Sequence, residues 1–185
     1  MIFTATALKG AFSLEPERRE DDRGFFARTW CQQEFATHGL NPCLVQCNIS
    51  FNKTKGTLRG MHYQAFPYKE EKLVRCTMGS IADVIIDLRP KSPTFKHHMS
   101  IVLTAENRRM LYVPKGFAHG FQTLEDNTEV FYQMSEFYAP AYTRGIRWND
   151  PAFGIQWPAD ERIILERDQT YPDFSCKELY RRGHC

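Results

Sequence analysis

The stretch Ala82-Asp83-Val84-Ile85-Ile86-Asp87-Leu88-Arg89 decides the fold class, because its polarity changes with the period of a β-strand. Successive side chains of a strand point to opposite faces of a sheet. One face would carry Ala82, Val84, Ile86 and Leu88, and the other Asp83, Ile85, Asp87 and Arg89. The stretch therefore predicts a strand that is apolar on one face and mixed on the other.

Further stretches rich in strand-forming residues lie on both sides of this one. They are residues 45–50, 72–76, 99–103, 109–113 and 128–134, and segments with Gly, Pro or Asn separate them. Residues 31–37, followed by Gly39, favour a short helix, and the chain after Pro158 is expected to be irregular or weakly helical. Short, regularly spaced strands with so few helices predict an all-β sandwich or barrel of the jelly-roll type, with short peripheral helices.

The composition is typical of a globular protein with one domain. Of the 185 residues, 42% are hydrophobic and 25% charged, and no repeat or Gly/Ser linker divides residues 1–185. A formal net charge of +2 gives no field that would attract nucleic acid, so we expect no such partner. The aromatic share of 14% suits strands and stacking pockets.

Membrane and export signals are not found in the sequence. No apolar run approaches the roughly 18 residues that a membrane span needs, and the first residues lack the pattern of a signal peptide. The six cysteines contain no C-x-x-C pair, which is typical of reduced thiols in a cytosolic protein. We therefore expect a cytoplasmic protein without a membrane partner or a disulfide framework.

Two segments, 56–64 and 114–121, resemble the paired half-motifs G-x5-H-x-H and P-x-G-x-x-H of the cupin superfamily. The resemblance implies a double-stranded β-helix, the cupin-type jelly-roll barrel. In metal-binding cupins the second histidine of the first half-motif is a ligand, but here that position is Gln64, and an amide is a poor ligand for first-row metals. Glu70 and Glu71 leave a three-ligand site open, although the adjacent Lys72 disfavours a cation pocket. We expect no metal and no cofactor.

Polar side chains at every second position of two predicted strands indicate a pocket on the barrel. Gln46, Asn48 and Ser50 share one face of their strand, and His62 shares a face with Gln64. Arg59 has the opposite parity to His62, so it reaches the same pocket only if Gly60 marks a β-bulge. The alternative is that this face is simply solvated.

A set of longer motifs resembles the dTDP-4-dehydrorhamnose 3,5-epimerase family from about residue 20 to 170. The motifs are Asp22-Arg23-Gly24-Phe25-Phe26, Gln46-x-Asn48-x-Ser50, Leu58-Arg59-Gly60-Met61-His62-Tyr63-Gln64, Lys72-Leu73-Val74-Arg75-Cys76, Asp83-x3-Asp87-Leu88-Arg89, Ser92-Pro93-Thr94-Phe95, Gly116-Phe117-Ala118-His119-Gly120-Phe121 and Trp148-Asn149-Asp150-Pro151. The resemblance implies inversion of C3, C5 or both in a nucleotide-linked 4-keto-6-deoxyhexose, with dTDP-4-dehydro-6-deoxy-D-glucose giving dTDP-4-dehydro-L-rhamnose. It also implies a homodimer in which about the first 25 residues are exchanged with the partner.

The same resemblance implies four catalytic residues. His62 would be the base, oriented by Asp168, with Asp83 left open as a competing partner. Lys72 would stabilise the enolate oxygen. Tyr132, protonated at neutral pH, would donate a proton to the opposite face of the sugar.

Substrate binding is implied for eight further residues. Arg23 and Arg59 would bind the diphosphate, and Phe26 and Tyr138 would stack on the nucleotide base. Gln46, Asn48 and His119 would contact the sugar. Arg28 stands where the family pattern has Glu, so the identity of the nucleotide base that this site binds is left open. Without the resemblance, the arginines could be surface ion-pair partners, the aromatics core residues, and His119 a structural histidine.

Three other functions are compatible with the sequence. A metal-dependent cupin isomerase or oxygenase would need a third ligand near His62 and His119. An epimerase acting at C3 alone would share the motifs above. A sugar-binding barrel without activity would not need His62, Lys72, Tyr132 and Asp168 together.

Overall fold

The computed structural model describes residues 1–158 and 161–176, and most of the regular structure is β. The strands are β1 (Ile2–Ala5), β2 (Phe12–Glu15), β3 (Arg19–Asp21), β4 (Gly24–Phe26), β5 (Gln46–Asn52), β6 (Thr57–Gln64), β7 (Lys72–Met78), β8 (Ser80–Asp87), β9 (His98–Thr104), β10 (Met110–Val113), β11 (Phe117–Thr123), β12 (Thr128–Met134), β13 (Thr143–Gly145) and β14 (Ile163–Ile164). The helices are α1 (Gln32–Thr37), α2 (Glu166–Gln169) and a 3-10 turn at Pro140–Tyr142. No helix within the described ranges is long and apolar enough to cross a membrane.

The strands form two large sheets and one small hairpin. The first sheet has the order β1-β2-β10-β7-β12-β5, and the second has β13-β6-β11-β8-β9 with β14 added beside β6. The two sheets share one core, in which Val74 and Val130 of the first sheet pack with Ile85 and Phe121 of the second. This arrangement confirms the expected all-β jelly roll with short peripheral helices.

Strand β8 is buried on both faces, which explains its composition. Ile85 belongs to the core between the sheets, whereas Val84 and Ile86 pack beneath Phe153 and Trp157 on the other face. The apolar alternation read from the sequence therefore marks the face that the later part of the chain covers. The mixed face lies inside the barrel, where its carboxylates need partners.

The expected helix at residues 31–37 is confirmed, since α1 begins at Gln32 with Cys31 as its N-cap. The expectation for the chain after Pro158 was incomplete. Besides the short helix α2, this region contributes β14, whose Ile163 and Ile164 pair in parallel with β6. Two residues are too few to display a period, so only the tertiary partner reveals the strand.

Candidate active site

Strand β6 carries a β-bulge at Gly60. His62 pairs with His119 and Arg59 pairs with Phe121, so β6 advances three residues where β11 advances two. Gly60 has φ +129°, and a Cβ there would lie 2.5 Å from the Cα of Gly120. The conditional prediction is met, because Arg59 and His62 line the same cavity despite their opposite parity.

This cavity has a volume of about 530 Å³. Both sheets and α2 contribute to it, with Arg59, His62 and Gln64 from β6, Lys72 from β7, His119 from β11, Tyr132 from β12, and Arg167 and Asp168 from α2. Tyr138 also lines it, with 56% of the residue exposed. Three of the four catalytic candidates thus come from strands and the fourth from a short helix.

His62 and Asp168 are in direct contact. His62 Nε2 lies 2.8 Å from Oδ1 of Asp168, a carboxylate that is only 3% exposed. Asp168 also accepts hydrogen bonds from the Gly60 backbone N–H at 3.3 Å and from Arg167 Nε at 3.1 Å. With Nε2 donating to the carboxylate, Nδ1 is the ring nitrogen that can accept a proton.

Burial and charge keep the imidazole and the carboxylate in opposite states. Burial lowers the pKa of His62, and the positive charges of Lys72 and Arg167 lower it further, while Asp168 raises it in part. Burial alone would raise the pKa of Asp168, but the hydrogen bonds from His62, Gly60 and Arg167 bring that pKa below its usual value. At neutral pH the pair is therefore a neutral base beside an ionised carboxylate.

Asp83, the competing candidate, contacts a different histidine. His119 Nε2 lies 2.7 Å from Oδ1 of Asp83, whose residue is fully buried. His119 nevertheless lines the cavity, next to His62 across the strand pair. Asp168 therefore bonds to His62, and Asp83 bonds to His119.

The Gln64 side chain joins two loops by hydrogen bonds to their backbones. Its Nε2 donates to the backbone oxygens of Tyr68 at 2.8 Å and Phe137 at 3.2 Å, and its Oε1 accepts from the Ala139 N–H at 2.6 Å. Glu70 accepts the Gln64 backbone N–H and pairs with Lys72 at 3.1 Å. Among the described residues, no three His, Cys, Asp or Glu side chains are grouped as a metal ion would require.

Lys72 and Tyr132 are both partly enclosed in the cavity. The Lys72 side chain is 11% exposed and points its ammonium group at Glu70. Burial raises the pKa of Tyr132, with nearby Arg59 opposing the effect, so the phenol is protonated at neutral pH.

Two predicted sugar contacts, Gln46 and Asn48, do not line the cavity in this chain. Gln46 Oε1 accepts the backbone N–H of Tyr138 at 2.8 Å, and Gln46 Nε2 donates to Asn48 Oδ1 at 3.3 Å. Neither amide is among the residues that line the cavity. Among the described residues, Gln46 is linked to the site by its hydrogen bond to Tyr138, which lines the cavity.

Arg23, Phe26 and Arg28 are not brought to this cavity within one chain. Arg23 and Phe26 lie on or beside the separate β3–β4 hairpin, where the Arg23 side chain is 89% exposed and pairs with Asp21. Phe26 is 72% exposed, and Arg28 pairs with Glu34 at 2.7 Å. None of the three is among the residues that line the cavity with His62.

Arg167 was missed as a site residue by the sequence reasoning. Its Nη2 lies 3.2 Å from Nε2 of His62, besides its contact with Asp168. The sequence signal was present, because Arg167 directly precedes Asp168 in a run of alternating charge. Only the fold of α2 turns both neighbours toward the same imidazole.

Known proteins share both the sequence and the architecture. A family profile described as dTDP-4-dehydrorhamnose 3,5-epimerase matches residues 5–175. A protein of that name from Methanothermobacter thermautotrophicus is 42% identical over 181 residues, which cover 96% of this chain and 97% of that protein. The crystal structure of the Elizabethkingia anophelis epimerase has 38% identity and a TM-score of 0.92, covering 94% of this chain and 96% of that one.

A second solved structure extends the likeness to a ligand-bound relative. The dTDP-4-dehydrorhamnose 3,5-epimerase from Bacillus anthracis, with TDP and PPi bound, has 40% identity and a TM-score of 0.90 over 94% of this chain and 99% of its own. The family profile, over residues 5–175, includes the barrel strands, the residues that line the cavity and the helix that supplies Asp168. The chain belongs to the dTDP-4-dehydrorhamnose 3,5-epimerase family.

Proposed function

We propose that this chain is an isomerase that inverts C3 and C5 of a nucleotide-linked 4-keto-6-deoxyhexose. The expected reaction converts dTDP-4-dehydro-6-deoxy-D-glucose into dTDP-4-dehydro-L-rhamnose without a metal or cofactor. The observation that carries the proposal is the contact of His62 with Asp168 at 2.8 Å, in a cavity that Lys72 and Tyr132 also line.

The first half of each inversion is proton abstraction. The 4-keto group acidifies the protons at C3 and C5, since the electron pair of the broken C–H bond moves onto the ketone oxygen. His62 Nδ1 takes that proton, and Asp168 stabilises the imidazolium that forms. Lys72 donates a hydrogen bond to the enolate oxygen and offsets its charge.

The second half is protonation from the other face. The enolate carbon takes a proton from the Tyr132 hydroxyl, and the ketone re-forms. Solvent then returns a proton to the phenolate and removes one from His62, so the enzyme regains its starting state. Burial raises the pKa of Tyr132, so the phenol is protonated at neutral pH and carries the proton that this step needs.

Substrate binding is proposed for the residues around the mouth of the cavity. Arg59 would bind the diphosphate, Tyr138 would stack on the base, and His119 would contact the sugar. Gln46 and Asn48 would support Tyr138, which is consistent with their hydrogen bonds. The B. anthracis relative with TDP and PPi bound supports a nucleotide diphosphate as the anchor of the substrate.

The missing part of this site would come from a second copy of the chain. In a homodimer that exchanges about the first 25 residues, Arg23, Phe26 and Arg28 would reach the partner's cavity. The exposed β3–β4 hairpin supports this proposal, as does edge strand β5, whose outer face exposes Ile49 (63%) and Phe51 (46%). The free thiols of the described cysteines support a cytoplasmic location.

Solvent deuterium exchange into dTDP-4-dehydro-6-deoxy-D-glucose tests the reaction. Label at both C3 and C5, abolished in His62→Ala, is the expected result. Label at C3 alone would make the chain a C3-only epimerase, and full exchange in His62→Ala would refute the assignment of the base. Metal analysis of the purified protein is the second measurement, because a stoichiometric ion required for exchange would replace the proposed mechanism with a metal-dependent one.

A further inference from the structure

Arg59 is held at the mouth of the cavity by one buried amide. Its Nε donates to Oδ1 of Asn52 at 2.7 Å, and Asn52 is only 2% exposed. The other contact of the guanidinium is a long one, from Nη2 to the Phe51 backbone oxygen at 3.5 Å. Asn52 therefore determines the direction in which an otherwise exposed arginine points.

The orientation of the Asn52 amide is fixed by its own hydrogen bonds. Its Nδ2 donates to the backbone oxygens of Ser50 at 3.0 Å and Thr128 at 3.1 Å. A flipped amide would set its oxygen against two carbonyl oxygens and its NH2 group against the guanidinium, and all of these contacts are repulsive. The acceptor oxygen must consequently face Arg59.

The contact with Asn52 determines which edge of the Arg59 guanidinium is available for a ligand. The group is planar, and its donors lie along fixed edges. When Nε bonds to Asn52, the Nη1–Nη2 edge remains for a bidentate contact with phosphate oxygens. An arginine fixed in this way also loses less side-chain freedom when it binds its ligand.

We propose that Asn52 is a positioning residue that presets Arg59 for the diphosphate of the substrate. This inference rests on the proposed function, since it needs Arg59 to bind a diphosphate. It adds a residue whose side chain does not line the cavity and whose effect passes entirely through Arg59.

Binding of dTDP by calorimetry, together with the kinetics of the nucleotide sugar, tests the proposal. We expect Asn52→Ala to weaken dTDP binding and raise KM about tenfold while kcat changes by less than about twofold. The double variant Asn52→Ala/Arg59→Ala should bind dTDP no more weakly than Arg59→Ala alone, because both changes remove the same interaction. Additive losses, or an unchanged dTDP affinity in Asn52→Ala, would overturn it.

Two controls separate positioning from loss of structure. Asn107 also bonds to backbone groups, at Val102, Thr104 and Arg109, but lies outside the cavity, so Asn107→Ala should lower Tm and leave dTDP affinity unchanged. Arg59→Lys keeps the charge and loses the Nε donor, and we expect it to bind dTDP about tenfold more weakly even if Asn52→Ala does not fold. Unchanged affinity in Arg59→Lys would refute the orientation argument. If the wild type binds no dTDP, or Arg59→Ala binds it normally, the proposed function fails instead.

Discussion

His62 Nε2 and Asp168 Oδ1 lie 2.8 Å apart although 106 positions separate the two residues in the sequence. The imidazole belongs to strand β6 and the carboxylate to helix α2. Because α2 follows β14, which pairs with the start of β6, the same strand that carries His62 also anchors its partner. The contact between His62 and Asp168 thus forms only when the chain after β14 packs against the barrel.

Asp168→Asn is expected to lower kcat about 100-fold, because the amide no longer stabilises the imidazolium formed during proton abstraction. Asp168 raises the pKa of His62, so its loss should also move the acid limb of the kcat/KM profile to lower pH. Rates measured against pH for both proteins check the two effects. A normal kcat with an unmoved acid limb would mean that the contact has no catalytic role.

The wild-type acid limb should have its midpoint below pH 6.5, the ordinary pKa of histidine, since burial and two nearby cations favour neutral His62. Activity is lost as the pH falls through this lowered pKa, because protonated His62 cannot accept a proton. Arg167→Met removes one cation and should move the limb upward. Arg144→Met is the matched control, because the Arg144 side chain bonds, among the described residues, only to the backbone oxygens of Ala141 and Thr143.

Tyr132→Phe is expected to separate exchange from inversion. His62 can still remove a proton and, after mixing with solvent, return deuterium to the same face. The opposite face has lost its donor, so inverted product should fall about 100-fold or more. Mass spectrometry of the recovered substrate and NMR of the product measure the two quantities, and equal losses of both would argue against the separate roles.

The exchanged dimer makes a prediction about mixed subunits. Arg23→Ala and His62→Ala should each be inactive alone or nearly so. After denaturation and refolding together, about half the dimers are hybrids with one intact site each, so about a quarter of wild-type activity should return. If each site belongs to one chain, mixing recovers no activity, and a monomer in solution would exclude the exchange.

Gly60→Ala should destabilise the fold strongly, by about 3 kcal/mol or more, since strain at its φ adds to a clash of its Cβ with Gly120. Gly24→Ala is the control, because Gly24 has φ +128° but no atom within 4 Å of an added Cβ. The difference in unfolding free energy between the two variants isolates the close approach of β6 and β11. Equal losses would attribute the effect to φ alone.

The sequence by itself determined the central strands β5, β7 to β10 and β12, the helix α1 and the residues available for chemistry. Alternation is a local property, so β8 and β12 could be read without knowing their neighbours. The bulge predicted at Gly60 also followed from local sequence. In a regular strand Arg59 and His62 would point to opposite faces, so they can line one cavity only if the strand contains an extra residue. The roles expected for individual residues came from their resemblance to the family motifs.

Only the tertiary structure decided which groups meet. The choice between Asp83 and Asp168, the pairing of β14 and the contact of Arg167 with His62 all depend on elements far apart in the chain. It also placed the polar alternation of β5 inward, left the apolar face of that strand exposed, and put Asn52 behind Arg59. A sequence pattern fixes the period of an element, whereas partners depend on packing between elements, and local periodicity carries no information about that packing.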